Sequence, residues 1–564
     1  MIHLIALLLC FAQQPPTPQT GSLQQGVQLA NSGQFPQAIV ALESFVTKQP
    51  NNPHGWLWLG HCYHAQRDWE KAFPAHEKAA GYLETAGQAC FNLARAWAAQ
   101  GDADQSFDWL AEARDAGYRD WAQMWLDPDL LLLREDKRFE SYAGPGFDYD
   151  RPFVEPTTVL FSWHGEGAGQ QFGWVAVDAG DVDADGVHDI ITSAPFLKVQ
   201  GSNSNAGRVY LYSGKTGKAL RQHTGIPGDT LGLSVAGVGD LNHDGHGDYA
   251  ASSTRYGHPS IPGSVEVWSG KDGEVLLSIK GDKPSGGFGR AVSSIFDVNG
   301  DGTSDLLIGS EKCNQGRGKV TVHSGTDGKL LHAFAGEGAT DSLGSTVSAG
   351  GRGDYPLLIM GAKTAGEFKT GRMLGYRFLR EEARFVEHFR AESGQLNRNY
   401  GEFFSSVFGD ANGDGIDDVY TADFGANTGG PGSGEVRVFD GKSGKELWRK
   451  DGQPGEGLGI GNAIAGDDNG DGFADVLTGA WTDSAAARQG GSHYMLSGKD
   501  GSVLRKWTCN IPGANMGFDS TSLPDCNGDG RRDFLFTAAS SAVRGANSGS
   551  VYLVSGALPK GKSE

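Results

Sequence analysis

One nine-residue acidic loop occurs six times in the chain, and this repetition constrains the fold more than any other feature. The first copy is Asp181-Val-Asp-Ala-Asp-Gly-Val-His-Asp189, and the others begin at Asp240, Asp297, Asp410, Asp467 and Asp525. Each copy has Asp at positions 1, 5 and 9, Asp or Asn at position 3, and Gly at position 6. Most copies recur at intervals of about 57 residues, which predicts a structure of repeated units rather than one continuous core.

The loop has the residues of an oxygen cage for a cation of calcium size. Positions 1, 3 and 5 point three side-chain oxygens inward, and the Gly permits the sharp turn. The carbonyl of position 7 and the carboxylate of position 9 complete the cage. The sequence therefore predicts about six Ca²⁺ ions, held by Asp181, Asp183, Asp185, Val187 and Asp189; Asp240, Asn242, Asp244, His246 and Asp248; Asp297, Asn299, Asp301, Thr303 and Asp305; Asp410, Asn412, Asp414, Ile416 and Asp418; Asp467, Asn469, Asp471, Phe473 and Asp475; and Asp525, Asn527, Asp529, Arg531 and Asp533.

An EF-hand begins with similar residues, but the downstream sequence excludes it. An EF-hand needs a bidentate Glu at position 12 and flanking helices. Position 12 is Thr192, Ala251 or Ile308 in the first three loops, and short apolar runs typical of strands follow.

The charge of the chain agrees with this interpretation. The net charge is −20, and nineteen carboxylates occupy predicted ligand positions in the six loops. Six divalent ions would offset twelve of these negative charges. An acidic total also argues against a nucleic-acid backbone or an anionic membrane as the partner.

Two further signatures flank each loop. A bulky residue followed by Gly begins nine residues before the first Asp at Phe172, Leu231, Phe288, Leu458 and Met516, and ten before it at Tyr400. Downstream lies Gly207-Arg-Val-Tyr-Leu-Tyr-Ser-Gly-Lys-Thr-Gly217, with relatives from Gly263, Gly318, Gly434, Gly491 and Gly549. This second signature predicts a strand, a tight turn and another strand, so each unit has four strands.

A degenerate seventh unit fills the gap between the third and fourth of the six loops. Leu343-Gly344 is present, but Gly350-Gly-Arg-Gly-Asp354 replaces the loop. Seven four-stranded units predict a seven-bladed β-propeller. The last unit lacks one strand, and the spare strand 158–163 before the first unit would complete it and close the ring.

These motifs resemble the FG-GAP repeats of integrin α-subunit propellers over residues 148–556. The match rests on Phe172-Gly173, the acidic loop, and strands that end in Ser193-Ala194-Pro195 or Gly479-Ala480. The chain differs from that family in its fourth blade and in having more cation loops than integrins usually carry. The resemblance implies cation loops on one face and ligands on the opposite face, in a bacterial secreted protein.

A different repeat, with a period of 34 residues, precedes the propeller. Trp56-x-x-Leu59-Gly60-x-x-Tyr63 followed by Ala72 has the tetratricopeptide pattern. Small residues recur in phase at positions where two helices approach closely, and 127–139 is similar to the helical end of bacterial tetratricopeptide arrays. The fold class is therefore an all-α tetratricopeptide solenoid followed by an all-β seven-bladed propeller. The array could equally be a ligand-binding surface or a spacer.

The first twelve residues, Met1–Ala12, form an apolar run of signal-peptide length that ends in small residues. We therefore expect secretion, to the periplasm, the cell surface or the medium, with no membrane span after cleavage. Leu9 is too bulky for the usual lipidation signal, which disfavours Cys10 as a lipid anchor. The other five cysteines are odd in number, so at least one thiol is free or pairs with another chain.

The predicted organisation follows from these patterns. It comprises a signal peptide (1–12), a linker (13–22), tetratricopeptide-like repeats (23–142), a second linker (143–156), the propeller (157–556) and a tail (557–564).

Both repeat types present broad surfaces without a reactive group, so the sequence favours a non-enzymatic, calcium-stabilised adhesion or interaction scaffold. Its ligand, a protein or a glycan, and its oligomeric state stay open. The alternative is an extracellular hydrolase or lyase acting on polysaccharide or lipid, although no catalytic motif is recognisable. Candidate residues on the face opposite the loops are Phe196, Tyr256, Phe424 and Trp481.

Two other groups of residues have a simpler explanation. The histidines near blade connections, which are more often solvated than catalytic, are His164, His223, His258 and His332. Arg352-Gly353-Asp354 is the tripeptide that integrins recognise, but a Gly-rich turn in the degenerate unit explains it.

Overall fold

The computed structural model describes residues 22–557 except 120, 126, 144–145, 256–259, 284–285, 352–354, 367–368, 394–399 and 462–463. The chain divides into two compact units between Gly146 and Phe147. The first is helical and the second is built from β-sheets, as the predicted fold class requires. The predicted leader with Cys10, residues 558–564 of the tail, Tyr256, His258 and Arg352–Asp354 lie outside the described residues.

The described part of the first unit contains three antiparallel helical hairpins, which is the architecture expected of the predicted tetratricopeptide repeats. Two short 3₁₀ helices (Trp121–Trp125 and Pro128–Leu133) and a final helical turn follow them. The helices are α1 (Leu23–Asn31), α2 (Phe35–Lys48), α3 (Pro53–Ala65), α4 (Trp69–Ala80), α5 (Ala86–Ala99), α6 (Ala103–Asp115) and α7 (Phe139–Ala143).

The small residues of the 34-residue period lie where paired helices touch. A Cβ on Gly60 of α3 would come within 2.5 Å of the His76 ring on α4. In the third hairpin the Ser106 hydroxyl donates to the Ala94 carbonyl at 2.8 Å. Because a larger side chain would separate the two helices, these positions require small residues.

A buried carboxylate attaches the last part of this unit to its helices. Asp129 contacts His64 at 2.9 Å, Arg67 at 2.7 Å and Arg95 at 3.1 Å. Burial raises the pKa of Asp129, but the His64 hydrogen bond and the Arg95 charge outweigh it and bring the pKa to about 2. The 3₁₀ segment is therefore held against α3 and α5 by an ionised group.

The second unit is a propeller of seven sheets in the described residues, which confirms the predicted number of blades. Blades one to six follow chain order from the centre outwards, whereas in blade seven β1 lies outside β29. The first strand of blade six is described in two pieces. The strands are, in blade one, β2 (Ala176–Gly180), β3 (Asp189–Ala194), β4 (Arg208–Tyr212) and β5 (Ala219–Thr224); in blade two, β6 (Leu231–Gly239), β7 (Asp248–Ser253), β8 (Ser264–Trp268) and β9 (Val275–Lys280); in blade three, β10 (Phe288–Ile295), β11 (Asp305–Ser310), β12 (Lys319–His323) and β13 (Leu330–Ala335); in blade four, β14 (Leu343–Gly350), β15 (Leu357–Ala362), β16 (Arg372–Leu379) and β17 (Arg384–Glu392); in blade five, β18 (Ser405–Gly409), β19 (Asp418–Asp423), β20 (Glu435–Phe439) and β21 (Glu446–Asp451); in blade six, β22 (Leu458–Ile460), β23 (Ile464–Gly466), β24 (Asp475–Ala480), β25 (Ser492–Leu496) and β26 (Val503–Thr508); and in blade seven, β27 (Ser520–Leu523), β28 (Asp533–Ala538), β29 (Ser550–Val554) and β1 (Val159–His164).

The strand from before the first blade closes the ring, as predicted. β1 pairs antiparallel with β29, and Trp163 lies opposite Val551. The preceding segment, assigned to a linker by sequence, packs in part on the propeller: Phe147, Tyr149 and Phe153 contact the apolar core between blades six and seven. Closure removes the exposed edge of blade seven.

Neighbouring blades meet at the two Gly signatures. The bulky residue of each bulky-Gly pair lies against the Gly that begins the third strand of the preceding blade. Gly491 of blade six contacts Met516 of blade seven in this way, and Gly549 of blade seven contacts Phe172 of blade one. The same close approach occurs at all seven blade junctions, so the two signatures are halves of one contact.

We expect Gly491→Ala to destabilise the propeller more than Gly513→Ala. Both glycines have positive φ, +83° and +69°, so either alanine has an unfavourable backbone. Only at Gly491 would the Cβ collide with the Met516 backbone, because nothing lies within 4 Å at Gly513. The clash adds about 1–3 kcal/mol, which thermal denaturation would measure. Equal melting temperatures would show that the junction tolerates a side chain.

Histidine His493 of β25 gives the propeller a pH-dependent stability. Its ring is fully buried, stacks on Phe536 at 3.9 Å, and has no hydrogen-bond partner at either nitrogen. Burial lowers the pKa of His493 from 6.5 to about 3, so the folded state holds the neutral ring.

We therefore expect the free energy of unfolding to fall below pH 6.5, where the unfolded histidine takes up a proton. The slope for this one group approaches about 1.4 kcal/mol per pH unit. Urea denaturation at neutral pH and at about pH 5 should show a shallower pH dependence for His493→Phe than for the wild type. His54→Phe, at a half-exposed ring, is the control. An unaltered slope in His493→Phe would contradict the assignment.

Candidate metal centre and opposite face

Each acidic loop connects the first and second strands of its blade. In blade one the loop joins β2 to β3, and the Ser-Gly turn joins β4 to β5 at the same end. The Gly214 N–H of that turn donates to Asp189 Oδ1 at 3.1 Å. The two connections therefore lie at the same end of the blade.

The same hydrogen bond recurs in all six blades that have the loop. The turn Gly donates to the position-9 Asp at 2.8–3.1 Å, in the pairs Gly214–Asp189, Gly270–Asp248, Gly325–Asp305, Gly441–Asp418, Gly498–Asp475 and Gly556–Asp533. The other oxygen of this Asp accepts the N–H of position 2, for example Val182 at 2.8 Å. Position 9 is therefore an anchor for the loop as well as a predicted ligand.

Backbone amides also hold the position-1 carboxylate. Asp181 accepts the N–H groups of Asp185 at 3.0 Å and Gly186 at 2.9 Å. With the loop folded in this way, Asp181, Asp183 and Asp189 each bring one carboxylate oxygen within 4.8 Å of the others. Three converging carboxylates are the kind of site that a hard cation prefers.

The buried position-9 carboxylates are electrostatically unfavourable by themselves. Burial raises the pKa of Asp189 and of Asp418 to about 7, although backbone N–H groups oppose the shift. Burial likewise raises the pKa of Asp475 and of Asp533 to about 6. A positive charge beside them would favour the ionised form.

Lysines of the turns between the third and fourth strands approach two of the loops. Lys215 Nζ lies 3.7 Å from Asp185 and Lys442 Nζ lies 3.7 Å from Asp414. Both lysines are more than half exposed, so these are weak surface pairs.

The position-7 residues were predicted to contribute only their carbonyls, but two of their side chains connect neighbouring loops. His246 Nδ1 lies 2.8 Å from the Val182 carbonyl of the preceding loop. Thr303 Oγ1 lies 3.3 Å from His243 Nε2. Loops one to three therefore form a connected arc. Of the thirty predicted ligand residues, twenty-four lie between the first and second strands, and the six position-9 aspartates are the first residues of the second strands.

Comparisons with known proteins agree with this architecture. A model of the FG-GAP repeat matches residues 173–212 and 288–323, and a tetratricopeptide-repeat model matches 23–82. FG-GAP repeats build the propeller, and tetratricopeptide repeats precede it.

Relatives of the FG-GAP propeller include integrin α-subunits. The chain is 30% identical over 166 residues to integrin alpha-4 of Xenopus laevis and 33% identical over 186 residues to integrin alpha-E of Mus musculus. These alignments cover 27% and 30% of the chain, and 16% of each integrin. The similarity is thus confined to about one sixth of each relative.

The end of the FG-GAP propeller opposite the loops carries aromatic side chains. Phe196, Phe424 and Trp481, predicted as contact residues, are half-buried and touch other rings. Sequence reasoning missed Trp174 and Phe518, which line the mouth of the central channel. Both directly follow a bulky-Gly pair, and that position in each repeat is the signal that would have found them.

The histidines considered as catalytic candidates have structural partners. His164 lies between Asp150 at 3.1 Å and Ser550 at 2.9 Å, an Asp-His-Ser order, but Ser550 is fully buried. His223 stacks on Trp268 and His332 packs on Phe334. A substrate would not reach the Ser550 hydroxyl, so this triad does not form an open site.

Two further expectations concern the cysteines and the membrane. The five cysteines in the described part of the chain are all free and buried. Their odd number already implied that at least one could have no partner within the chain. No helix among the described residues is long and apolar enough to span a membrane.

Proposed function

We propose that the chain is a secreted, calcium-stabilised interaction scaffold of the adhesion type. About six Ca²⁺ ions occupy the acidic loops, and a protein or glycan ligand binds the opposite face of the propeller. The observation that carries the proposal is the convergence of Asp181, Asp183 and Asp189 within 4.8 Å in a loop that occurs six times.

The donor set supports calcium over other metals. Every predicted ligand is a carboxylate, amide or carbonyl oxygen, whereas zinc and copper sites use thiolate or imidazole. The chain's cysteines in the described part are buried away from these loops, apart from Cys526 at position 2 of the last loop. Its thiol donates to the Pro524 carbonyl at 3.2 Å, and burial raises its pKa to about 12, so it is held as a neutral thiol rather than a thiolate ligand.

The ions would have a structural role. Each loop joins the two innermost strands of its blade, and its position-9 Asp is hydrogen-bonded to the outer hairpin. A cation would relieve repulsion among three or four carboxylates in nine residues, and thereby hold these connections together. The ligand surface lies at the other end of the strands.

The proposal places the protein outside the cytoplasm, in the periplasm, at the cell surface or in the medium. Extracellular calcium modules bind in the range of about 0.1–1 mM, concentrations that are reached there. N-terminal sequencing of the exported protein tests this part, with cleavage after the first twelve residues as the expected result.

We expect chelation to lower the melting temperature of the propeller. At 10 mM Ca²⁺, each site with a Kd of about 0.1–1 mM contributes about 1–3 kcal/mol to folding. Thermal denaturation in EDTA, in 10 mM Ca²⁺ and in 10 mM Mg²⁺ would measure this. Mg²⁺ controls for ionic strength and should restore less stability, because it demands stricter octahedral geometry. A melting temperature that is the same in EDTA and in Ca²⁺ would contradict the proposed stabilisation of the propeller by calcium.

We expect Asp301→Ala to remove one bound ion from a total of about six. Asp301 is the exposed position-5 ligand of loop three, so its loss should leave the blade folded. Asp327→Ala, at an exposed aspartate in the turn of the same blade, is the matched control. Equilibrium dialysis with metal analysis gives the stoichiometry. Equal counts in the two variants would exclude loop three as a site.

A further inference from the structure

The central channel of the propeller opens into a pocket of about 280 Å³. The first strands of the seven blades supply its walls, and the residues that follow the bulky-Gly pairs form its mouth. Trp174, Leu233, Arg290, Ser345 and Phe518 directly follow their bulky-Gly pairs, and Phe403 lies one position later in blade five. The pocket is therefore a product of the whole ring rather than of one blade.

Half of the mouth is bordered by a continuous series of aromatic side chains. Between ring centroids, Trp174 lies 5.1 Å from Phe196 and 4.9 Å from Phe518. Phe518 in turn lies 6.4 Å from Trp481. Phe424 continues the series, at 6.3 Å from Trp481 and 6.1 Å from Phe403. We call these six residues the aromatic arc. All six are half-buried, so each ring packs on a neighbour and keeps a part in solvent.

The walls below the arc carry hydroxyl groups. They come from five blades and comprise Ser234, Ser293, Ser345, Thr346, Ser348, Ser406 and Thr521. One of them, Ser406, is only 3% exposed, and its hydroxyl has no hydrogen-bond partner. A buried polar atom without a partner at a cavity wall indicates that a polar ligand or water completes the site.

The charged groups that line the pocket all have partners within the protein. Arg290 lies 3.5 Å from Glu311 and stacks over Phe403 at 4.5 Å. Asp178 lies 2.8 Å from His188 on its loop side. Asp519 accepts the Ala176 N–H at 3.1 Å. Arg290 is thus paired with a carboxylate, and both aspartates are hydrogen-bonded within the protein, so an anionic ligand group would find no free cation among the described lining residues. This arrangement favours a neutral polar ligand over an anionic one.

We propose that this pocket binds the terminal sugar of a neutral glycan, with the following residues of the glycan lying along the aromatic arc. The proposal rests on the interaction-scaffold function and names its ligand class. A sugar ring has an apolar C–H face, which packs on the electron-rich face of an aromatic ring, and hydroxyls, which exchange hydrogen bonds with serine and threonine.

The size of the pocket agrees with this ligand. Sites for drug-sized molecules typically measure about 300–1,000 Å³, and this pocket lies just below that range. It therefore accepts one ring, while the arc, which extends outward to Phe196 and Phe424, provides a platform for the rest of the chain.

The test is a binding assay with the full chain in 10 mM Ca²⁺. The probes are lactose, cellobiose, maltose and N,N′-diacetylchitobiose, with digalacturonic acid as an anionic sugar and a Lys-Gly-Arg-Gly peptide as a cationic competitor. Calorimetry gives the Kd. We expect at least one neutral disaccharide to bind, and Trp174→Ala and Phe518→Ala each to weaken it about tenfold.

Matched variants separate a binding role from a folding role. Phe385→Ala removes a half-buried phenylalanine from the outer strand of blade four and should leave the Kd unchanged. Trp174→Phe keeps a ring and should retain most of the affinity. Melting temperatures with and without Ca²⁺, measured on the same samples, show whether the calcium scaffold itself is intact, so its failure is distinguishable from failure of the glycan site.

Three results would overturn the proposal. The first is no binding by any neutral sugar in a sample that Ca²⁺ stabilises. The second is sugar binding that Trp174→Ala and Phe518→Ala leave unchanged, which would place the site elsewhere. The third is binding of the cationic peptide alone, lost in both variants, which would make the arc a protein-binding surface.

Discussion

The hydrogen bond between the position-9 aspartate and the Ser-Gly turn is the interaction on which six blades depend. It joins the inner connection of the blade to the outer hairpin, and it requires a glycine because a Cβ on Gly214 would collide with the His188 carbonyl. The bond also buries a carboxylate, which is unfavourable unless positive charge or several donors accompany it. The acidic loop around it therefore supplies both the shape of the blade and the need for a cation.

Blade four shows what replaces this interaction when the loop is lost. Its outer hairpin, β16 with β17, has eight paired positions, whereas the corresponding hairpin of blade three has five. Arg377 stacks over Tyr355 at 4.0 Å, near where the acidic loop would lie. Longer strand pairing and side-chain packing thus maintain the four-stranded blade without the carboxylates, so the topology of a blade does not require the loop.

The fold could be predicted from sequence because its signatures are local and repeat in phase. Each repeat contains both halves of the junction seen at Gly491 and Met516, namely a bulky-Gly pair and the Gly that begins the third strand. Seven copies of this pattern indicate seven blades. The pocket could not be predicted in this way. In five blades its mouth uses the position after the bulky-Gly pair. Trp174, Arg290 and Phe518 at that position differ in chemistry, and they meet only when the ring closes. The antiparallel bridge between Phe153 and Cys509 likewise joins residues that are far apart in sequence, and no repeat pattern predicts it.

The fixed spacing of the repeat connects the two ends of the propeller. The bulky-Gly pair begins nine residues before the first Asp of most loops. One short strand therefore has a mouth residue at one end and an acidic loop at the other. Cation binding that holds the loops would therefore keep the mouth residues in place and reduce the entropy lost on ligand binding. In blade five the pair begins ten residues before the first Asp, and both Phe403 and Phe404 line the pocket. The one departure from the spacing thus adds an aromatic ring to the mouth and leaves the loop in register.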